Sequence, residues 1–426
     1  MHKHNIQPLL HKTYNMAYSA TGVYITDVSG KRFLDGSSGP MACSLGHSHP
    51  AIVARIKKQL DKLQFVYRSQ FGTEEAEQLA KKLMEISPNG VYQHSFFVNS
   101  GSEAIETALK IALQFWQEKG MPTKNQFITR QKSYHGITMG ALGVSGHQIR
   151  RRQFENVLWQ PADKLVKDLE TDPLEVHLEE LEKIISRMGS DRIAGVVLEP
   201  IIGASGTALV PPVGYYEAIA ALCKEKQILF IGDEVMTGLG RTGAYFGLDH
   251  WGAHADIITL GKSLGAGYAP IAATLLTEEI LEPIQKGSGL IMSGHTYSGH
   301  PLSCAAALEV LTVIEEDKLI SNVNQMGQRL KDGLHHLQQR HEMIQTVRGK
   351  GLMLGVELNP EITGLQSKII ESCYDKGLLV YPSVGGKNGT DENGLLISPP
   401  FVISPTEIDT LLELLEASLQ EVGNTL

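Results

Sequence analysis

The chain has 426 residues, 42% hydrophobic and 20% charged, the ordinary composition of a globular protein too long for one typical core. Its formal net charge of −9 argues against nucleic acid as a partner. Four cysteines, at positions 43, 223, 304 and 373, lie far apart without C-x-x-C spacing, which points to free thiols in a reducing compartment and away from a disulfide framework or a zinc site.

The first residues, MHKHNIQPLLHKTYNM, lack the apolar run of a signal peptide. The uncharged run from Pro200 to Tyr216 is interrupted by prolines and glycines and does not read as a membrane helix. A cytoplasmic protein without a membrane partner is the expectation.

Residues 21–36, TGVYITDVSGKRFLDG, read as a hairpin turning at Ser29-Gly30. A Gly- and Ser-rich loop follows, with His47 and His49. No acid or cysteine stands at ligand spacing beside them, so a structural connection is favoured over a metal site. Residues 50–63 and 73–86 show helical periodicity, the second with Thr73 as N-cap.

The stretch SFFVNSGSEAIETALKIALQFW reads as strand, small polar turn and long helix. Such a junction aims free N–H groups and a positive helix end at one spot, which suits a phosphate. Gly101 would let the phosphate approach and Ser102 would add a hydroxyl; a plain helix cap at Ser100 or Ser102 fits equally. NQFITRQKSYHG is a strand ending on Tyr134, whose ring could stack on a flat ligand or sit in a turn. Residues 145–190 read as polar and helix-rich, with a charge run around Leu165 to Ile185 read as a solvated face. DRIAGVVLEP is a strand ending on Glu199.

ILFIGDEV and DIITLGKSLGAG then form two buried apolar runs. The first ends on Asp233 and Glu234, the second on Lys262. Strand, helix, strand in this rhythm argues for a parallel, doubly wound sheet, which presents ligands at its strands' carboxyl ends. An acid and a lysine together there match the needs of pyridoxal phosphate chemistry: a lysine to carry the cofactor and move protons, an acid to face the pyridine nitrogen. A structural carboxylate and a turn lysine fit the same residues. Gly238 to Gly243 matches G-x-G-x-x-G, but no helix follows and no acid stands at the expected distance, which disfavours a dinucleotide site. Thr296, in a loop leading into a helix, is a second candidate phosphate donor. From about residue 313 helices and short strands alternate, TVRGKGLMLGVEL among them, as in a smaller α+β domain completed by the N-terminal hairpin.

The motifs DVSGKRFLDGSSG, NSGSEAIETALK, SYHG, VVLEP, GDEVMTGLGRTG, LGKSLGAG, HTYSGHP and VRGKGLMLGVEL follow one another over nearly the whole chain. In this order they resemble the class III aminotransferases, fold type I pyridoxal phosphate enzymes often called omega-aminotransferases. The resemblance implies an α/β fold: a large domain with a doubly wound, mostly parallel sheet, plus a smaller α+β domain. The implied division is an N-terminal segment over 1–60 joining the small domain, a large cofactor-binding domain over 61–312 and a small domain over 313–426.

The implied activity moves an amino group from an amine or omega-amino acid to a keto acid such as pyruvate by a ping-pong mechanism. The same fold hosts racemases and epimerases, aminomutases and decarboxylases, and a non-catalytic cofactor-binding protein is a remoter alternative. By resemblance Lys262 and Asp233 are catalytic. Gly101 and Ser102 cradle the phosphate, Tyr134 stacks on the ring with His135 in support, Glu199 is the strand-end acid and Val235 packs on the ring. Thr296 reaches the phosphate in the neighbouring subunit, which implies a homodimer with shared sites.

Two departures bear on substrate. Ala204 stands where the branch using glutamate or ornithine has a glutamate. The segment from Tyr381 to Pro400 holds no arginine, only Lys387, where many relatives carry a mobile arginine. Arg68 is then the candidate for the substrate carboxylate, with an interface ion pair as its rival role, and Met41 a second candidate substrate residue.

Overall fold

The computed structural model describes residues 4–159, 163–386 and 390–425. Its centre is a seven-stranded sheet in the order His94–Val98, Ala272–Leu276, Ile257–Leu260, Leu229–Asp233, Ile193–Leu198, Gln126–Arg130, Asp163–Leu165. The last five run parallel, whereas Ala272–Leu276 is antiparallel to both of its neighbours. The strands are near-continuous apolar runs because helices cover both faces of the sheet. Leu229 and Ile231 join one core with Ile105, Ala108 and Ile257, while Phe230 joins the other with Leu198, Ile258 and Leu260. This is the period-two alternation of a strand buried on both sides. The Gly101–Glu118 helix packs on the Ala272–Leu276 and Ile257–Leu260 strands.

The other two sheets have four strands each. Ala17–Thr21, Tyr24–Asp27 and Arg32–Asp35 form an antiparallel meander, joined by Leu378–Leu379 running parallel to Arg32–Asp35. The expected hairpin thus gains a leading strand and a partner from far along the chain. Ile344–Lys350, Met353–Leu358, Asp391–Ile397 and Tyr381–Gly385 form the third sheet, all antiparallel. The segment read as helix-rich, 145–190, does contain the Leu174–Met188 helix, but Asp163–Leu165 supplies a strand to the central sheet. Three residues, two of them charged, are too few to show a strand period.

The adjacent acids after Ile231 part company. Asp233 faces the strand ends, whereas Glu234 turns into the core, 1% exposed. Glu234 accepts the N–H groups of Gly247 and Leu248, both at 2.8 Å, and the Thr237 hydroxyl, and burial pushes its pKa up to about 7. Glu234→Ala is expected to strand both buried N–H groups and to cost roughly 2–5 kcal/mol, read as a lowered denaturation midpoint. An unchanged midpoint would show that those donors find other acceptors.

The Gly238 to Gly243 loop folds back on itself and leads to the short Gly247–Trp251 turn of 3-10 helix. Within it Arg241 is fully buried and donates to the carbonyls of Leu352 (3.0 Å), Ser398 (3.1 Å) and Pro399 (2.6 Å) and to Ser38 Oγ (3.1 Å). The motif that mimics a dinucleotide loop therefore binds distant parts of this same chain.

Candidate active site

Asp233 and Thr259 are direct partners across neighbouring parallel strands, and Lys262 follows in the next turn. The turn is tight. Lys262 has φ 40, in the left-handed region, which costs roughly 1–3 kcal/mol for a side-chain-bearing residue. Three backbone bonds impose it: Leu264 N–H to Gly261 O (2.8 Å), and Gly265 N–H (3.1 Å) and Ala266 N–H (2.9 Å) to Lys262 O. A Cβ at Gly265 would lie 2.1 Å from Ala269 O, so only glycine fits there. The result sets Lys262 into a cleft with Asp233. Burial pulls the lysine pKa below its ordinary value, against the opposing influence of Asp233 and Glu199.

Asp233 is 4% exposed and held by three donors. His135 Nδ1 donates to Oδ2 at 2.7 Å; the Val235 N–H and the Thr259 hydroxyl donate to Oδ1 at 3.1 and 3.2 Å. Because a carboxylate only accepts, His135 carries its proton on Nδ1 toward Asp233.

The Gly101–Glu118 helix aims its N-terminus at the same cleft. Ser100 is the cap, its hydroxyl accepting Glu103 N–H at 3.3 Å. Ser102 is thereby free of capping. Its Oγ accepts Ile137 N–H at 3.0 Å and borders the cleft. Gly101 is forced by its neighbour, since a Cβ there would lie 2.7 Å from Val235 Cγ1. The first-turn N–H groups of Gly101 and Ser102 have no acceptors within the helix.

Glu199, 6% exposed, accepts Tyr134 N–H at 2.9 Å and Gly203 N–H at 3.2 Å, which sets the Tyr134 ring on the cleft wall. Burial raises its pKa from the ordinary 4.5 to about 7, with His135 opposing and Asp233 adding to the rise. The folded chain therefore holds this proton more tightly than the unfolded chain does. Its contribution to stability is greatest below pH 4.5 and is lost as pH rises to about 7, by about 3 kcal/mol at most. Across that window the denaturation midpoint of the cofactor-free chain is expected to fall more steeply than that of Glu199→Gln. Parallel curves would contradict the assignment.

Eight of the residues singled out in the sequence thus line one cleft: Gly101, Ser102, Tyr134, His135, Glu199, Asp233, Val235 and Lys262. Gly136 and Met236 complete it. Gly136 stood within the SYHG motif, and a Cβ there would meet Ser102 Oγ at 2.5 Å; Met236 stood within GDEVMTGLGRTG but was not singled out. Three residues lie elsewhere. Thr296 is exposed in the loop before the Pro301–Glu316 helix. Arg68 is exposed too, its guanidinium 4.3 Å from the Phe96 ring centroid and donating to Ser293 O at 3.3 Å. Met41 is fully buried in the core with φ 59. Lys387 falls outside the described residues.

The cleft's donors fit pyridoxal phosphate: unpaired helix N–H groups and a hydroxyl for a phosphate, apolar and aromatic walls for a ring, a fixed acid for a ring nitrogen, and an amine.

A family model described as aminotransferase class-III matches residues 9–419. An uncharacterized aminotransferase of Bacillus subtilis, YodT, is 45% identical, the alignment covering 100% of this chain and 99% of that one. The omega-aminotransferase of Caulobacter vibrioides is 32% identical, covering 96% and 94%. Among solved structures, an amine transaminase from an uncultivated Pseudomonas species, in its PLP-bound form, superposes with a TM-score of 0.91 at 32% identity over 99% of each chain.

Proposed function

This chain belongs to the class-III aminotransferases, enzymes that depend on pyridoxal phosphate, and on that premise we propose that Lys262 carries the cofactor and moves the proton while Asp233 holds the ring nitrogen. The enzyme passes an amino group from an amine or amino acid to a keto acid. Pyridoxal phosphate, when bound, supplies an electron sink for the pair released as a proton leaves the substrate carbon. Lys262 Nζ takes that proton and returns one, a role helped by the burial that lowers its pKa. Asp233 keeps a proton on the ring nitrogen, and its three donors leave it a single orientation. The N–H groups of Gly101 and Ser102 bind the phosphate, with the Ser102 hydroxyl beside them. Tyr134 and Val235 cover the ring. The observation that carries this reading is the convergence of Lys262, Asp233 and the helix N-terminus on one cleft.

The assay is formation of alanine from pyruvate with an equal yield of ketone or aldehyde from the amine. Inversion or carbon dioxide release without amino transfer would overturn the reading.

A homodimer with shared sites completes the proposal. Thr296 is exposed in a loop with Leu290, Met292 and Tyr297, which are 58%, 67% and 57% exposed, an apolar surface that a second subunit would cover. Arg68 lies against Ser293 of that loop and takes the role of an interface residue here. The division at 1–60, 61–312 and 313–426 is supported by the pairing of Leu378–Leu379 with Arg32–Asp35. Four unpaired cysteines favour a cytoplasmic setting, and among the described residues no helix is long and apolar enough to cross a membrane.

A further inference from the structure

Tyr134 is contacted by two cationic or ionisable side chains besides the residues of the cleft. The Arg150 guanidinium lies 4.9 Å from its ring centroid, and the His147 ring stands edge-on at 5.9 Å. Both line a second cavity with Ala204, Gln366, Tyr381 and Ser383. The two cavities adjoin through Tyr134 and through the 203–204 peptide, since Gly203 packs on Met236 of the cleft and Ala204 lines the second space.

The three consecutive arginines here are not equivalent. Arg151 is buried and donates to the carbonyls of Leu142 (2.7 Å), Gly143 (2.7 Å) and Ser145 (2.9 Å), so it holds the backbone together. Arg150 is exposed and makes no ion pair among the described residues. Its charge nevertheless reaches Lys262, lowering the lysine pKa. His147 is 6% exposed, and its Nδ1 is buried without a hydrogen-bond partner. Burial, with Arg150 beside it, holds the His147 pKa down to about 4, which leaves it neutral near pH 7. A buried polar atom without a partner costs free energy that a ligand can recover. Ala204 puts no carboxylate on its wall to neutralise Arg150. Glu392 also lines the cavity, but among the described residues it makes no ion pair with Arg150.

We propose that Arg150 and His147 form a carboxylate subsite behind Tyr134, which selects amino acids and keto acids whose carboxylate lies several bonds from the reacting carbon over plain amines. Arg150 offers the planar fork that suits a carboxylate, and His147 adds one neutral donor. The site deepens the aminotransferase reading above and rests on it for the position of the reacting nitrogen. It also assigns to Arg150 the role that the sequence pattern places on Arg68.

The test uses the holoenzyme. Terminal amino acids from 3-aminopropanoate to 6-aminohexanoate are compared with alkylamines of the same chain length, as ratios of kcat/KM. In Arg150→Gln the ratio at the preferred length is expected to fall about ten- to hundredfold, and Arg150→Lys to regain part of it. A ratio unchanged at every length, or an equal fall for amine and amino acid, would overturn the proposal. Calorimetric titration with pentanoate reads the subsite without turnover: weaker binding in Arg150→Gln by a similar factor supports it, and equal or absent binding in native and variant overturns it. A protein that turns over no amine of either kind would fail the catalytic reading, while the pentanoate titration still decides the subsite.

Discussion

Lys262→Ala is expected to lower turnover by about ten-thousandfold or more while the protein keeps its cofactor without a covalent link. The loss follows from geometry. Lys262 is the only amine lining the cleft among the described residues, and three backbone bonds fix the turn that puts it there. Nothing else in the cleft duplicates its proton chemistry: His135 is committed to Asp233, and Glu199 to two backbone N–H groups. Retention of the cofactor follows from the separateness of the other contacts proposed above, because the N–H groups of Gly101 and Ser102, the Asp233 carboxylate and the Tyr134 and Val235 walls do not involve the lysine. Alanine also removes a buried amine, so the variant is expected to melt no lower than the native chain. Dialysis and an absorption spectrum check retention, and a coupled assay checks turnover. Native-like turnover would refute the assignment.

Asp233→Asn is expected to lower turnover by about 10²–10⁴-fold with a small loss of stability. The amide has nearly the shape of the carboxylate but carries no charge to hold a proton on a ring nitrogen. Its amino group must face either His135 Nδ1–H or both the Thr259 hydroxyl and the Val235 N–H. The imidazole can move its proton to Nε2 and the hydroxyl can rotate, so the fold absorbs the change for roughly 1–3 kcal/mol. The defect is expected in kcat, with KM for the amine little altered, because the role proposed for Asp233 is on the cofactor ring and not on the substrate. A variant whose kcat matches the native value would remove Asp233 from the mechanism.

Much of the site's frame was legible because it follows from local pattern. Two apolar runs ending on Asp233 and Lys262, and a strand running through Gly101 into a long helix, are short-range signals, and a parallel sheet brings their ends to one edge. What was not legible depends on contacts between distant segments. His135 meets Asp233 only once the Gln126–Arg130 and Leu229–Asp233 strands take their places in the sheet. The close approach of Val235 explains Gly101 at least as directly as a phosphate does. Arg150 sat in a stretch that read only as polar and helix-rich; its position over Tyr134 depends on the turn from Tyr134 to His147 folding back on itself. Arg68, by contrast, was singled out because no arginine stands between Tyr381 and Pro400, yet in the folded chain it lies on Phe96, outside the cleft.

The most direct measurement is the visible absorption spectrum of the purified protein with pyridoxal phosphate, before and after addition of amines and amino acids with no keto acid present. A yellow protein that one donor bleaches, and that pyruvate then restores, is the predicted result. A protein that stays colourless with added pyridoxal phosphate, or a yellow one that no donor bleaches, would contradict the account.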